Sequence, residues 1–145
     1  MAQFDHERLR VYQEGLRFVA FADAVVADLP QRIAARDQLV RASTSIALNI
    51  GEGNGKRSKA DRCRHLDVAR GSALESAAGL DVLVIQKPLN RQRAEEGAEI
   101  LVAVVSMVMG LPETFGAQVH EDVGDYGSNS HDGNFPSTIT STIIL

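Results

Sequence analysis

Little in this chain points to chemistry carried by sulfur or by aromatic stacking. It has one cysteine, Cys63, no tryptophan, and only five phenylalanines and two tyrosines in 145 residues. A lone cysteine excludes an intrachain disulfide and a cysteine-rich metal centre, and it fits a reducing, cytoplasmic setting. Scarce aromatics, with Ala, Val, Leu and Ile dominant, suit close-packed helices better than a β-sandwich. Long apolar runs are missing too: the longest, Ile100 to Val105, is far too short to span a bilayer. Met1-Ala2-Gln3-Phe4-Asp5-His6-Glu7 lacks the basic and apolar regions of a signal peptide. Nor is there an overall basic excess, since the formal net charge is -4.

The charge is unevenly spread. Residues 32–70 carry nine Lys and Arg against four Asp and Glu, for a net +5. Within that stretch lies the densest basic run: Lys56, Arg57, Lys59, Arg62 and Arg64, flanked by Arg32, Arg36, Arg41 and Arg70. The run reads either as a solvated helix surface, interleaved with Asp37, Asp61 and Asp67, or as a contact for nucleic-acid phosphate. No aromatics interleave with it to stack bases.

Hydrophobic spacing predicts four helices in a chain long enough for one domain. The first covers about residues 5–28, with Leu9, Tyr12, Leu16, Val19 and Val26 as its stripe and Phe18, Phe21 and Val25 beside it. Gly15 weakens it locally and Pro30 ends it. The second covers about residues 31–54, with Leu39, Ala42, Ile46 and Ile50 facing a core. Ile33, Val40 and Ala47 lie on another side, so this helix is expected to be covered on more than one side. Gly51-Glu52-Gly53-Asn54-Gly55 then predicts a tight turn with residues that tolerate positive φ. Ser58, with Asp61 three residues on, looks like the cap of a third helix over 59–85. Its core stripe is Leu66, Ala73, Ala77, Leu80 and Val84, and Lys87-Pro88 ends it. Asn90 can cap a fourth helix over about 91–109, facing inward through Ala94, Leu101, Val104, Val105 and Val108 and stopped by Gly110 and Pro112.

These elements predict an all-α fold: an antiparallel up-down-up-down four-helix bundle over residues 1–115. Residues 116–145 hold four acids and no Lys or Arg, and read as a flexible acidic tail. The β-prone end, Thr138 to Leu145, is expected to fray.

Several chemistries can be set aside. A Walker phosphate loop ending at Gly55-Lys56 would need glycine at 50 and Ser or Thr at 57, where Ile50 and Arg57 stand. The dinucleotide pattern fails where Lys56 replaces glycine, and no strand precedes the turn. His65 and Asp61 share a helix face with Glu75 further along, but no second histidine on these helices completes a metal site. Cys63 has Arg62 and Arg64 as neighbours but no histidine constellation, so it reads as a small, partly buried residue. No catalytic residue, cofactor or metal is expected.

One polar stripe carries more information. Gln38, Arg41, Ser45, Asn49 and Glu52 fall along one side of the second helix, next to its apolar face. Asn49 and Glu52 should therefore be partly buried and need partners. Arg41, Arg57, the Ser72 hydroxyl and the free N–H groups that open the third helix are available, and Ser58 and Glu75 are counted with the stripe. The stripe is either a ligand site or a polar clasp between two helices, and internal satisfaction favours the clasp.

With these residues the chain resembles the four-helix-bundle family of proteins encoded in intervening sequences of bacterial 23S ribosomal RNA genes. The matching pieces are Leu9-Arg10-Val11-Tyr12-Gln13, Gln38 with Arg41-Ala42, and Ser45-Ile46 followed by Asn49-Ile50-Gly51-Glu52-Gly53. Arg57-Ser58, Leu66, Ala69, Gly71-Ser72 and Glu75 continue the pattern, which spans about residues 4–112. Gly51 stands where alanine is usual, and His65 where an aromatic is common. The family is similar in fold to the accessory protein of diversity-generating retroelements, a pentameric barrel that binds nucleic acid and a reverse transcriptase. The resemblance therefore implies a homopentamer without enzymatic activity. Together with the basic run it points to a cytoplasmic bundle that contacts RNA or DNA. The alternative is a protein-binding scaffold or accessory subunit.

Overall fold

The structure, a computed structural model, describes residues 3–86 and 88–119. A short 3-10 turn, Asp5–Arg8, leads into four helices: α1 (Arg10–Ala27), α2 (Ala34–Gly55), α3 (Lys59–Ile85) and α4 (Arg91–Val119). Each helix packs against its neighbour in sequence, and α4 closes against α1, while among the described residues the backbones of the diagonal pairs stay apart. With short connections this is an all-α, antiparallel up-down-up-down four-helix bundle. Phe18, Leu39, Ile46, Ile50, Leu80, Leu83 and Val104 fill its centre, each almost wholly removed from solvent. Such burial stabilises by about 1.5–3 kcal/mol per large side chain, and this outweighs the weak intrinsic preference of single helices.

The local signals at α3 work as expected. Ser58 is extended and its Oγ accepts the Asp61 N–H at 3.1 Å. The Asp61 carboxylate does not complete a capping box; it pairs instead with Arg64. Asn90 opens α4 in the same way, its Oδ1 accepting the Arg93 N–H at 2.8 Å.

Four expectations need correction. The first helix is split at Leu9, which is extended, and its inward face is rotated. Val11, Gly15, Phe18, Ala22 and Val25 face the core, whereas Leu16 is 45% exposed. Gly15 is not merely a weak point: it faces Ile46, Ala47 and Ile50, so α1 and α2 approach closely there. The second helix starts at Ala34, because residues 31–33 close a turn in which the Ile33 N–H bonds to the Pro30 carbonyl at 3.2 Å.

The glycine stretch is not a turn. Residues 51–55 are the last helical residues of α2, and the chain becomes extended only at Lys56, with φ -76° and ψ 142°. None of the described glycines needs a positive φ. Gly53 serves close approach, since a Cβ there would lie 3.0 Å from the His65 Cβ on α3. Lastly, α4 runs through Gly110 and Pro112 to Val119. Proline there removes one backbone donor and crowds the carbonyl four residues back, yet the helix passes through it, its ring holding φ at the helical value of about -65°. The expected tail thus begins with helix at 116–119, and its remainder lies outside the described residues.

Candidate functional site

The α2–α3 connection is three residues long, Lys56 to Ser58, and one end of the bundle is built around it. Its shape is held from within. The Lys56 N–H bonds to the Gly53 carbonyl at 3.2 Å, and Arg62 reaches back from α3 to donate to the Lys56 carbonyl. Arg62 is therefore a staple of the turn, and Arg64 is paired with Asp61. Lys56, Arg57 and Lys59 differ from both. All three are exposed, and none has an ion-pair partner among the described residues.

The other cations singled out in the sequence lie elsewhere. Arg36 is on the first turn of α2, where its Nε donates to the Val26 carbonyl at 3.3 Å and it pairs with Asp37. Twenty residues of helix separate it from Lys56, about 30 Å. Arg70 is half-buried on α3, about 16 Å along the helix from Lys59, and its Nε is shut off from solvent without a hydrogen-bond partner among the described residues.

Beneath the turn, a polar chain crosses the α2–α3 seam. Ser72 Oγ donates to Ser45 Oγ at 2.8 Å. Asn49 Nδ2 donates to Ser45 Oγ at 3.1 Å and to the Ser45 carbonyl at 2.9 Å. A carbonyl can only accept, so this fixes the Asn49 amide and leaves Oδ1 facing His65 Nδ1 at 3.1 Å. Nδ1 must then carry the proton. Ser76 lies next in line, fully buried, with its hydroxyl on the Ser72 carbonyl.

This chain holds fewer residues than the stripe suggested. Ser45, Asn49 and Ser72 meet, and His65 joins them. Glu52 does not sit in the interior: its side chain is 64% exposed and its Oε2 is 3.6 Å from His65 Nδ1. Water solvates that carboxylate, so it needs no buried partner. Gln38, Arg41 and Glu75 are exposed and make no hydrogen bond or ion pair among the described residues. Ser58 is a helix cap, separate from the chain. Outside the seam, Val40, Arg41, Ser45, Leu48, Asn49 and Glu52 line an open, shallow groove. Val40 and Leu48 are 41% and 60% exposed, whereas Ala47, expected on the same side as Val40, is buried where Gly15 of α1 approaches it.

Among the described residues no three His, Cys, Asp or Glu side chains are placed to hold a metal ion. Cys63 is a free thiol, half-buried. No helix among them is long and apolar enough to cross a membrane.

The comparisons with known proteins agree with this architecture. Residues 7–110 match the family described as 23S rRNA-intervening sequence protein. The chain is also similar to a crystal structure from Bacteroides thetaiotaomicron, a protein with unknown function from the S23 ribosomal protein family. The two share 22% identity at a TM-score of 0.67, over 70% of this chain and 97% of that one. At that identity the likeness speaks for the fold. No curated protein matches the chain.

Proposed function

The chain belongs to the 23S rRNA-intervening sequence protein family, and from that premise we propose a non-enzymatic, self-assembling bundle that holds RNA or DNA by its phosphates at the α2–α3 end. One observation carries the reading: three exposed cations, Lys56 and Arg57 on the α2–α3 connection and Lys59 opening α3, pair with no carboxylate among the described residues. Phosphate contacts of this kind give affinity without sequence preference and release counterions, so binding falls steeply with salt.

Three cations on one subunit bind weakly, and assembly supplies the rest. Leu16 on α1 and Val40 and Leu48 on α2 are large apolar side chains left in solvent on outward faces. Joining copies through these faces repeats the basic turn around a ring, which multivalency converts into useful affinity. Five copies is the number suggested by the resemblance to ring-forming accessory proteins. A cytoplasmic setting accompanies this reading, consistent with the free thiol of Cys63.

A protein-binding scaffold is the second reading, and the uncovered Val40 and Leu48 favour it. Native mass spectrometry with and without short RNA separates the two. The proposal expects one discrete oligomer that takes up RNA at low salt. An oligomer that never takes up RNA or DNA leaves the scaffold.

A further inference from the structure

Phe4 is held firmly and yet points into solvent. Its backbone N–H donates to Glu7 Oε2 at 3.0 Å, and its carbonyl accepts the Glu7 N–H at 3.1 Å. The residue nevertheless remains 74% exposed. Its ring lies nearly parallel to the His6 ring, with centroids 5.8 Å apart and planes 16° apart. His6 in turn meets Tyr12 edge-on at 4.8 Å. The short turn that carries Phe4 and His6 packs against α2 at Gly51, where an added Cβ would lie 3.7 Å from both the His6 and Tyr12 rings.

Gly51 is five residues before Lys56 on the last turns of α2, a distance of about 7.5 Å along the helix axis. The fold therefore brings an ordered aromatic shelf to the same end of the bundle as Lys56, Arg57 and Lys59, although the two are some fifty positions apart in the chain. Arg8, exposed and without an ion pair among the described residues, adds a positive charge to the turn that follows Phe4, whereas Arg10 lines the α1–α4 groove beside Glu14 and Glu96. Of the two carboxylates on that turn, Glu7 is occupied by the Phe4 N–H, while Asp5 is exposed.

From this juxtaposition we infer that the ligand at this end is single-stranded nucleic acid, with an unpaired base stacked on the outer face of Phe4 and its flanking phosphates on the α2–α3 turn. The inference rests on the nucleic-acid reading above and narrows it. Cations alone do not distinguish a duplex from a single strand. An aromatic face does, because only an unpaired base offers a free π-surface to it. His6 and Tyr12 support the ring from behind, so the stack needs no rearrangement to receive a base.

The test uses the full-length protein and three labelled oligonucleotides of equal length: a single strand, a duplex, and a single strand with abasic sites throughout. Affinities are compared at low salt by fluorescence anisotropy. The single strand should bind best, and Phe4→Ala should weaken it by about tenfold, near the lower middle of the range for base–aromatic stacking. Phe4→Trp should restore binding, whereas Phe4→Leu, apolar but without a π-face, should not. The abasic strand should be indifferent to all three substitutions. Equal binding of single strand, duplex and abasic strand overturns the inference and leaves the phosphate reading standing. A smaller oligomer in sedimentation of Phe4→Ala also overturns it, because the ring would then be a subunit contact. Failure of the wild type to bind any of the three oligonucleotides removes both readings.

Discussion

Ser72 Oγ and Ser45 Oγ lie 2.8 Å apart across the α2–α3 seam, and Asn49 and His65 continue that contact outward to the surface. Each link leaves a neighbour unsatisfied if removed, and partly buried groups cannot all fall back on water. Asn49→Ala should therefore cost about 1–2 kcal/mol in chemical denaturation. Glu52→Ala, at an exposed carboxylate, should change stability by no more than about 0.5 kcal/mol. Equal losses from the two substitutions would mean that the seam is not held by this chain.

Two buried glycines should respond in opposite directions. At Gly15 an added Cβ meets Ile46 and Ile50 at 3.5 and 3.6 Å, which is ordinary contact. Gly15→Ala should therefore stabilise by about 0.5–1 kcal/mol through helix propensity. At Gly97 an added Cβ would lie 2.7 Å from Phe21 Cζ and 2.9 Å from Leu80 Cδ1. That ring cannot swing away freely, because Arg93 stacks over it at 4.8 Å. Gly97→Ala should destabilise by about 1–3 kcal/mol. Thermal unfolding of both variants checks the pair.

Stability and binding should separate at the basic turn. Ser58→Ala removes the α3 cap and should cost about 1 kcal/mol while leaving nucleic-acid affinity unchanged. Lys59→Ala, one residue on, should leave the melting temperature nearly unchanged and weaken RNA retention. Both variants go through the same melting and anisotropy measurements.

Assembly should depend on the uncovered side of α2. Leu48→Glu places a charge where a 60% exposed leucine now stands, so a folded monomer should tolerate it. An oligomer joined through this face should not. Sedimentation should show a shift to smaller species with circular dichroism unchanged; an unaltered oligomer would place the interface elsewhere.

How much of this was legible beforehand depended on whether the signal was local. The bounds of α3 were legible because Ser58 and Lys87-Pro88 mark them in the sequence itself. The inward face of α1 was not. Its core positions include Gly15 and Ala22, whose weight in an apolar stripe is small although they decide how closely α2 can pack. The glycines at 51 and 53 suggested a turn because their real neighbours, Tyr12 and His65, belong to other elements. The basic run was visible as composition, but the use of Arg62 and Arg64 within the turn was not. Nor could the sequence bring His6 against Gly51, near the α2 end that leads to Lys56, because that proximity exists only once α1 lies along α2.

The acidic residues Glu121, Asp122, Asp125 and Asp132 follow α4, which returns towards the end of the bundle where α3 begins. Acidic charge that reaches the basic turn competes with phosphate. Replacing the four by their amides in the full-length protein should raise RNA affinity at low salt and lose this effect at high salt. Unchanged affinity at low salt would show that they do not reach the site.

The most direct test of the phosphate-binding claim is the salt dependence of RNA binding for the wild type and for the triple variant Lys56→Ala, Arg57→Ala, Lys59→Ala. Each lost contact to a single strand should reduce the slope of log affinity against log salt by about 0.7, so the triple variant should lose roughly 2 for each subunit that touches the strand. Its oligomeric state should not change. No RNA retention by the wild type at low salt, or the same slope for both proteins, would contradict the account.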